Sequence, residues 1–298
     1  MSETDKYPAS TPEQLLQRIH SEFPEITWDS YVLNTEGWDH DVIILDNKIV
    51  FRFPNDDEYS TLLRDEIEVL KKLAPLVDAA IPQYTYIAAD YSFAGYPIVP
   101  GRVVSKQVFD ELSKDARHEI AKQLAAFLST LHTLIDEGHK FPELPDFYIP
   151  ADHIEVKQLA QEHLPQLLSP EEYATVEKIL NQIEDVFAQN APAVFVHDDV
   201  YSRHILWDDK KSHLGIIDFT DMCLGDPAVD FAELHEYGAE FVKEVYDLYT
   251  GPKDDNFLER AWIYQQWIAV SMMTDHFINH KTSFAVARET FDRVLTAK

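Results

Sequence analysis

The chain has 298 residues, of which 45% are hydrophobic, 12% aromatic and 26% charged. This length suits one two-lobed domain or two small domains, and the composition allows a sizeable core. The 25 basic and 53 acidic residues give a net charge of −28, which argues against nucleic acid or anionic membranes as partners and favours cations. A cationic substrate, solubility and adaptation to a salty cytoplasm all stay open as reasons for this charge.

The N-terminus and the single cysteine indicate the compartment. The first residues, "MSETDKYPAS", are polar and acidic, and no apolar stretch resembles a signal peptide or is long enough to span a bilayer. Cys223 has no second cysteine to pair with, which fits a reducing environment. We therefore expect a cytoplasmic protein without nucleic-acid or membrane partners, acting as a monomer.

The first hundred residues predict a small sheet with one helix against it. "TPEQLLQRIHSEFP" carries a helix-capping pair, Thr11 with Gln14, ahead of apolar residues at helical spacing. Strand-like segments follow, and "VIILDNKIVFRF" predicts a hairpin that turns at Asp46 and Asn47. The amphipathic helix "TLLRDEIEVLKKLAPL" comes next, and then the strands "IPQYTYIAAD" and "FAGYPIVPG".

After Gly101 the pattern becomes mostly helical. "SKDARHEIAKQLAAFLSTLHTLI" has one apolar stripe, two helical stretches flank Pro170, and helices rich in Trp and Tyr form the C-terminal third. The chain is thus predicted to be α+β and two-lobed, with a small N-terminal β-sheet lobe that carries one packed helix. We place the nucleotide-binding lobe at 1–99 and the catalytic and substrate-binding helical lobe at 100–298. A cleft between lobes is the expected place for a ligand.

A polar segment interrupts the helical part. "VFVHDDVYSRHILWDDKKSHLGIIDFTD" places aspartates and histidines between two apolar runs, and each run ends in a carboxylate. The two runs are close enough in sequence to predict a hairpin. Such a concentration of carboxylates at strand ends indicates a metal or phosphate site.

The spacing in this segment fits phosphoryl transfer, which needs a carboxylate to accept the proton of the attacking hydroxyl and ligands for a metal. In a kinase catalytic loop a metal ligand lies five residues after the base. His204 lies five residues after Asp199, whereas Arg203 lies five after Asp198. We therefore assign Asp199 as base, Asp218 as the principal metal ligand and His204 as the second. The alternative for His204 is an ordinary polar role, because Mg²⁺ prefers oxygen donors.

"HDDVYSRHILWD…LGIIDFTDMCLGDPAVDF" resembles the aminoglycoside phosphotransferase family. That family combines His-x-Asp, an Asn or His five residues later, Ile-Asp-[Phe/Trp] and a Gly-Asp-Pro-x-x-Asp element, here Gly225, Asp226, Pro227 and Asp230. The resemblance is greatest to the aminoglycoside 2″-phosphotransferases and the macrolide 2′-phosphotransferases, which tolerate His at the fifth position. It implies a protein-kinase-like fold, a nucleoside triphosphate donor, and a structural role for His197, which braces the loop.

The same resemblance implies a nucleotide site in the first lobe. Arg52 lies in a strand where the family often has Lys, and it would bind phosphates. Glu66 on the next helix would hold Arg52 in place. The alternative is that the two residues form an ordinary surface ion pair. The turn around Gly37 would cover the phosphates. The backbone at Ile98 and Val99 would meet the purine, and main-chain contacts do not separate ATP from GTP.

Further carboxylates are predicted to contact the acceptor. Glu233 and Glu236 share one helical face after Asp230, and the three acids are placed beside a cationic substrate, with a solvated acidic face as the alternative. Asp275 is a weaker candidate, and Asp198 is expected in the loop near the substrate. Trp262 and Trp267, in the same region as Asp275, are interpreted as core aromatics or as a wall for a sugar or macrolide ring.

These observations predict a small-molecule O-phosphotransferase that moves the γ-phosphoryl of ATP or GTP, with Mg²⁺, to a hydroxyl of an aminoglycoside antibiotic, a reaction that implies antibiotic resistance. A macrolide 2′-phosphotransferase and a metabolic small-molecule kinase are the alternatives within the reaction class. A nucleotide-binding module without transfer activity is an alternative of a different class. A Zn²⁺ hydrolase ranks below them, because it leaves Arg52 and the Gly225–Asp226–Pro227 element unexplained.

Overall fold

The computed structural model describes residues 11–35, 39–135, 138–189, 191–278 and 283–296. The N-terminal elements are α1 (Pro12–Glu22), β1 (Tyr31–Asn34), β2 (His40–Leu45), β3 (Ile49–Pro54), α2 (Asp57–Leu73), β4 (Tyr86–Ile87) and β5 (Ala94–Pro97). The remaining elements are β6 (Arg102–Val103), α3 (Lys106–Glu111), α4 (Lys114–Thr133), α5 (Ile149–His163), α6 (Pro170–Ala188), β7 (Val194–Val196), β8 (Ile205–Asp208), β9 (His213–Ile216), β10 (Cys223–Gly225), α7 (Ala239–Leu248), α8 (Phe257–Ile278) and α9 (Phe284–Thr296). Short 3-10 turns cover Leu164–Gln166, Val229–Phe231 and Glu233–Tyr237.

The N-terminal strands form the predicted sheet, antiparallel throughout, in the order β1-β2-β3-β5-β4. The predicted hairpin joins β2 to β3. Asp46 and Asn47 occupy its turn with φ of 49° and 53°, a conformation that these two residue types tolerate better than most. Leu63 and Ile67 of α2 pack against Ala94 of the sheet. A second apolar cluster, which includes residues of α1, β2 and β3, packs Leu15, Ile19, Ile43, Leu45, Phe51 and Phe53 together.

The rest of the chain forms one large core of helices. Ile120, Leu124, Leu128 and Leu131 of α4 are fully buried, as their stripe predicts, and α4 packs on α7 and β7. α6 begins at Pro170, whose missing N–H costs nothing at a first helical position, and Ser169 caps it. Among the described residues, no helix combines the length and the apolarity needed to cross a bilayer. The boundary between residues 99 and 100 stays a prediction; it falls between β5 and β6.

The prediction that the two apolar runs of the polar segment, now β7 and β9, form a hairpin is wrong. β7 pairs with β10, where Val196 is opposite Cys223, while β9 pairs with β8, which also pairs with β6. The reason is the loop 197–204, which turns the chain so that β8, the nearer strand, makes the hairpin with β9. β7 and β9 therefore end in different sheets, and the loops that follow them carry Asp199 and Asp218.

Candidate active site

A cleft of about 1140 Å³ lies between the sheet and the helical region. Val50 and Tyr96 line it from the sheet, and Leu206 and Ile217 line it from the other side. The predicted site residues that line it are Arg52, Ile98, Val99, Asp198, Asp199, His204, Asp218, Glu233 and Asp275. The cleft thus brings together most of the residues that the sequence indicated, from segments as far apart as Arg52 and Asp275.

The loop after β7 presents Asp199, whose side chain is 26% exposed, to this cleft. The N–H of Asp199 donates to Nδ1 of the fully buried His197 over 3.3 Å, which fits the structural role expected for that histidine. Asp198 adopts a left-handed φ of 63°, a strained conformation often found at active sites. The loop is thus held by its own contacts in one conformation that exposes the proposed base.

The structure does not support a substrate contact for Asp230. Its side chain is 1% exposed, and its two oxygens accept the N–H groups of His197 and Asp198 over 3.0 and 2.7 Å. His132 Nε2 contacts one of these oxygens at 2.9 Å, and Tyr249 holds the other ring nitrogen at 2.7 Å. Asp230 therefore braces the loop from below. Its position three residues before Glu233 in sequence could not reveal this burial.

His204 lies between the two predicted catalytic carboxylates. Its Nδ1 is 3.0 Å from both the carboxylate and the backbone oxygen of Asp199, and its Nε2 is 3.4 Å from Oδ2 of Asp218. Burial opposes the charged form of His204, but the hydrogen bond to Asp199 and the negative charges of Asp199 and Asp218 raise its pKa to about 9. Burial also disfavours the charged form of Asp218, yet Arg52 and His204 lower its pKa below the ordinary value.

The donor set fits a magnesium–nucleotide complex. A metal at Nε2 requires the neutral ring, in which Nδ1–H donates to the Asp199 carbonyl, so the cation would displace the proton that Asp199 and Asp218 favour on His204. The described residues contain no group of three or more side chains that could enclose a metal by themselves. A site of two protein donors suits Mg²⁺, which is usually held by one or two carboxylates together with substrate phosphates.

The predicted pair of Arg52 and Glu66 is present and is not a surface ion pair. Arg52 is 5% exposed and Glu66 is fully buried, and Nη1 lies 2.9 and 2.8 Å from the two carboxylate oxygens. Burial raises the pKa of Glu66, and the charge of Arg52 opposes that rise. His40, Tyr84 and Thr220 also contact the guanidinium, and nothing in their sequence spacing had indicated this role.

The predicted purine contacts at Ile98 and Val99 both line the cleft. The N–H of Ile98 donates to the carbonyl of Lys48 over 2.7 Å, so this amide is already engaged. Val99 lies outside the strands, and no described backbone group accepts its N–H, which leaves that amide as the donor for a ligand. The turn predicted to cover the phosphates has Gly37 outside the described residues.

Carboxylates also line the opposite end of the cleft. Glu233 reaches the side chain of Asp199, and its pKa is raised by burial and by the charge of that aspartate. Burial, with Asp152 and then Glu155 nearby, raises the pKa of Asp275 to about 6. Burial and neighbouring acids also raise the pKa of Asp198. These three residues were predicted, whereas Asp152, which lines the same end, was missed.

Glu236 does not line the cleft, contrary to its predicted role. Its carboxylate lies 3.8 Å from Arg293 of α9, so it faces away from the ligand. Residues three apart are eclipsed in the 3-10 turn Glu233–Tyr237, yet the contact of Glu236 with α9 draws its side chain away from the cleft that Glu233 lines. Trp267 is buried and lines the cleft, and Trp262 packs against His235 at 4.8 Å.

Comparisons with known proteins agree with this architecture. The model of the phosphotransferase enzyme family, APH, matches residues 30–265. The GDP and kanamycin complex of APH(2″)-IIIa superposes with a TM-score of 0.81 at 23% identity, covering 94% of this chain and 98% of that chain. ADP-bound APH(2″)-Ib gives 0.69 at 19% identity, covering 97% and 98%. A macrolide 2′-phosphotransferase from Brachybacterium faecium gives 0.63 at 18% identity, covering 96% and 98%.

These structural likenesses establish the two-lobed, kinase-like fold that the sequence predicted. The family match extends over most of the 298 residues, from the first strand of the sheet into α8. It therefore includes the loop of Asp199, the strand of Arg52 and the segment of Asp218. The chain accordingly belongs to the phosphotransferase enzyme family and is a kinase-like phosphotransferase.

Proposed function

We propose that this phosphotransferase transfers the γ-phosphoryl of ATP or GTP to a hydroxyl of an aminoglycoside. The observation that carries the acceptor class is the charge of the cleft lining. Two arginines, Arg52 and Arg203, face eight carboxylates: Asp39, Asp152, Asp198, Asp199, Asp218, Asp221, Glu233 and Asp275. A polycation compensates this excess far better than a molecule with one amine or none.

Asp199 is the proposed base. Its carboxylate receives the proton of the acceptor hydroxyl, while the contact with His204 holds it in place. Burial of His197 and the two hydrogen bonds from the loop to Asp230 restrict the loop, so that Asp199 is held in place to position the attacking oxygen.

Asp218 and His204 are the proposed magnesium ligands, and Mg²⁺ bound there neutralises charge on the triphosphate. Arg52, held by Glu66, adds a fixed positive charge at the same end of the cleft. Val99 offers its N–H to the purine, and the adjacent Ile98 contributes its carbonyl. Positioning and charge neutralisation supply most of the rate enhancement in this reaction class.

Glu233, Asp275 and Asp198 are the proposed contacts of the acceptor's ammonium groups. Glu233 is next to the base and Asp275 lies on α8, so they would meet different amines of one acceptor. The APH(2″)-IIIa structure that resembles this chain contains kanamycin, a property of that protein which supports but does not establish the same acceptor class here.

A macrolide acceptor is the second candidate, favoured by one observation. Tyr148, Ile149, Trp267, Ile268 and Met272 form an apolar part of the cleft lining, which suits a large lactone ring. We rank it second because a single amine compensates little of the acidic charge.

An antibiotic acceptor of either kind would make the enzyme a resistance determinant. The protein is further proposed to be cytoplasmic and monomeric. Its nucleotide-binding lobe is proposed to cover 1–99, and its catalytic lobe 100–298.

Mass spectrometry of kanamycin, gentamicin and erythromycin, each incubated with enzyme, Mg²⁺ and ATP or GTP, tests the proposal. We expect one phosphoryl group to be added to an aminoglycoside, and no product with Asp199→Asn. A product with erythromycin alone would replace the first candidate by the second. No product with any of the three, together with measurable nucleotide binding, would favour a metabolic kinase or a module without transfer activity.

A further inference from the structure

Protein side chains engage both terminal nitrogens of the Arg52 guanidinium. Its two terminal nitrogens carry four N–H groups, which face six acceptor atoms within 3.2 Å. Nη1 contacts both carboxylate oxygens of Glu66 and the Tyr84 hydroxyl, and Nη2 contacts His40 Nδ1, Asp218 Oδ1 and Thr220 Oγ1. A guanidinium with its donors engaged in this way acts on phosphates as a fixed charge and not as a hydrogen-bonding fork.

The two oxygens of Asp218 are consequently different. Oδ1 accepts Nη2 of Arg52 at 2.9 Å and the hydroxyl of Thr220 at 3.0 Å. Oδ2 lies 3.4 Å from Nε2 of His204 and faces the other proposed metal ligand. Thr220 links the two partners, because its oxygen accepts from Arg52 at 2.7 Å while its proton goes to Asp218.

His40 contacts the same nitrogen of Arg52 from the sheet. Its side chain is 3% exposed, and Nδ1 lies 3.1 Å from Nη2. Because Nη2 only donates, Nδ1 must be the acceptor, which puts the proton of a neutral ring on Nε2. Burial and the charge of Arg52 keep the ring neutral. Nε2 has no hydrogen-bond partner among the described residues, so the contact with Arg52 is the polar interaction that holds the ring.

We propose that His40 and Thr220 are positioning residues: they hold Nη2 of Arg52 on Oδ1 of Asp218, so that Oδ2 is the single oxygen offered, beside His204, to the magnesium–nucleotide complex. This inference rests on the proposed function, since it assumes that Asp218 and His204 receive that complex. Its physical basis is orientation, because outer hydrogen bonds to a ligating carboxylate fix its geometry and commonly change metal affinity by about 10–100-fold when removed.

Calorimetric titration of ADP with excess Mg²⁺ and again with EDTA tests it. The measured quantity is the dissociation constant in EDTA divided by the dissociation constant with Mg²⁺. This ratio isolates the contribution of the metal from that of the purine. Thr220→Val removes the hydroxyl at nearly constant volume, and Thr220→Ser restores it. His40→Leu removes the acceptor, and His40→Asn keeps an oxygen where Nδ1 lies. Thermal unfolding of each variant without nucleotide monitors folding.

We expect Thr220→Val and His40→Leu to reduce the ratio about 10-fold while the dissociation constant in EDTA stays near that of the unchanged protein. Thr220→Ser and His40→Asn should recover most of it. A ratio kept by folded Thr220→Val and His40→Leu would overturn the inference and leave the proposed function intact. An unchanged protein that binds ADP without any magnesium dependence would overturn the metal assignment and this inference with it.

Discussion

The two ends of the cleft differ in how their charges are compensated. At the nucleotide end, Arg52 is paired with Glu66 and Asp218, and His204 lies between Asp218 and Asp199. At the acceptor end, Glu233 and the other carboxylates form no ion pair with any described cation, and burial raises their pKa values. One end is an assembled electrostatic network, whereas the other has carboxyl groups that lack a cationic partner and are therefore easily protonated.

This difference indicates how each end of the cleft would contribute to the binding of the nucleotide and of the acceptor. A network whose partners are already present in the protein needs no reorganisation when the nucleotide binds. Its contribution to binding and catalysis is therefore the fixed position of its charges. Buried carboxylates without partners cost free energy, and an ammonium group from the acceptor recovers that free energy on binding. Under the proposed function, the nucleotide end would therefore set the chemistry, and the acceptor end would select by charge. Four predictions test this comparison.

The largest loss of activity is expected from a change of Asp199, which contacts His204 at one end of the cleft and Glu233 at the other. Asp199→Asn keeps the shape of the proposed base but cannot accept a proton, so kcat should fall by about 10²–10⁴-fold. Steady-state kinetics with an accepted aminoglycoside measure it. Asp209→Asn, at an exposed carboxylate that pairs with Arg102 outside the cleft, is the matched control and should leave kcat unchanged. Similar kcat values for both variants would remove Asp199 from the role of base.

Breaking the network at the nucleotide end should cost stability. Glu66→Gln removes the buried carboxylate on Nη1 of Arg52, leaving only Asp218 on Nη2, and should lower the free energy of unfolding by about 3 kcal/mol. Asp110→Asn breaks the exposed pair with Lys106 and should cost less than about 1 kcal/mol. Urea unfolding of the two variants measures the difference. Equal losses would show that the network is not preassembled in solution.

Substitutions at the acceptor end should instead weaken the affinity for the acceptor. Glu233→Gln removes a carboxyl that an ammonium group of the acceptor would ionise and pair with, and the KM for kanamycin should rise about 10-fold, equivalent to about 1.4 kcal/mol. The KM for the nucleotide should change little. Glu236→Gln makes the same chemical change three residues away, outside the cleft lining, and serves as the control. A larger effect at Glu236 would contradict the orientation of this 3-10 turn.

The smallest effect is a pH dependence. Burial and the nearby acids Asp152 and Glu155 raise the pKa of Asp275 to about 6, so the carboxyl is charged above this pH and neutral below it. Attraction for a cationic acceptor should therefore weaken as the pH falls from 7 to 5, by a few-fold in KM. Kinetics across this range for Asp275→Asn should lack that component. An identical pH profile in the variant would assign it to another group.

The candidate site was predictable where its chemistry lies in short segments. Asp199 and His204 are five residues apart in one loop, and the spacing alone indicated their pairing, as it indicated the hairpin turn at Asp46 and Asn47. Asp230 was misassigned because its sequence neighbour Glu233 does line the cleft. Nothing local distinguishes a buried acid that braces a loop from an acid three residues later that lines the cleft.

The sequence by itself determined the reaction class and the α+β division, and it proposed the base and the metal ligands, because these depend on residue type at short spacing and on apolar periodicity. Only the tertiary structure decided that β7 pairs with β10, that Asp230 is buried and that His40 and Thr220 surround Arg52. These features depend on contacts between distant segments. Burial and pairing across such distances follow from how the whole core packs, which no local pattern records.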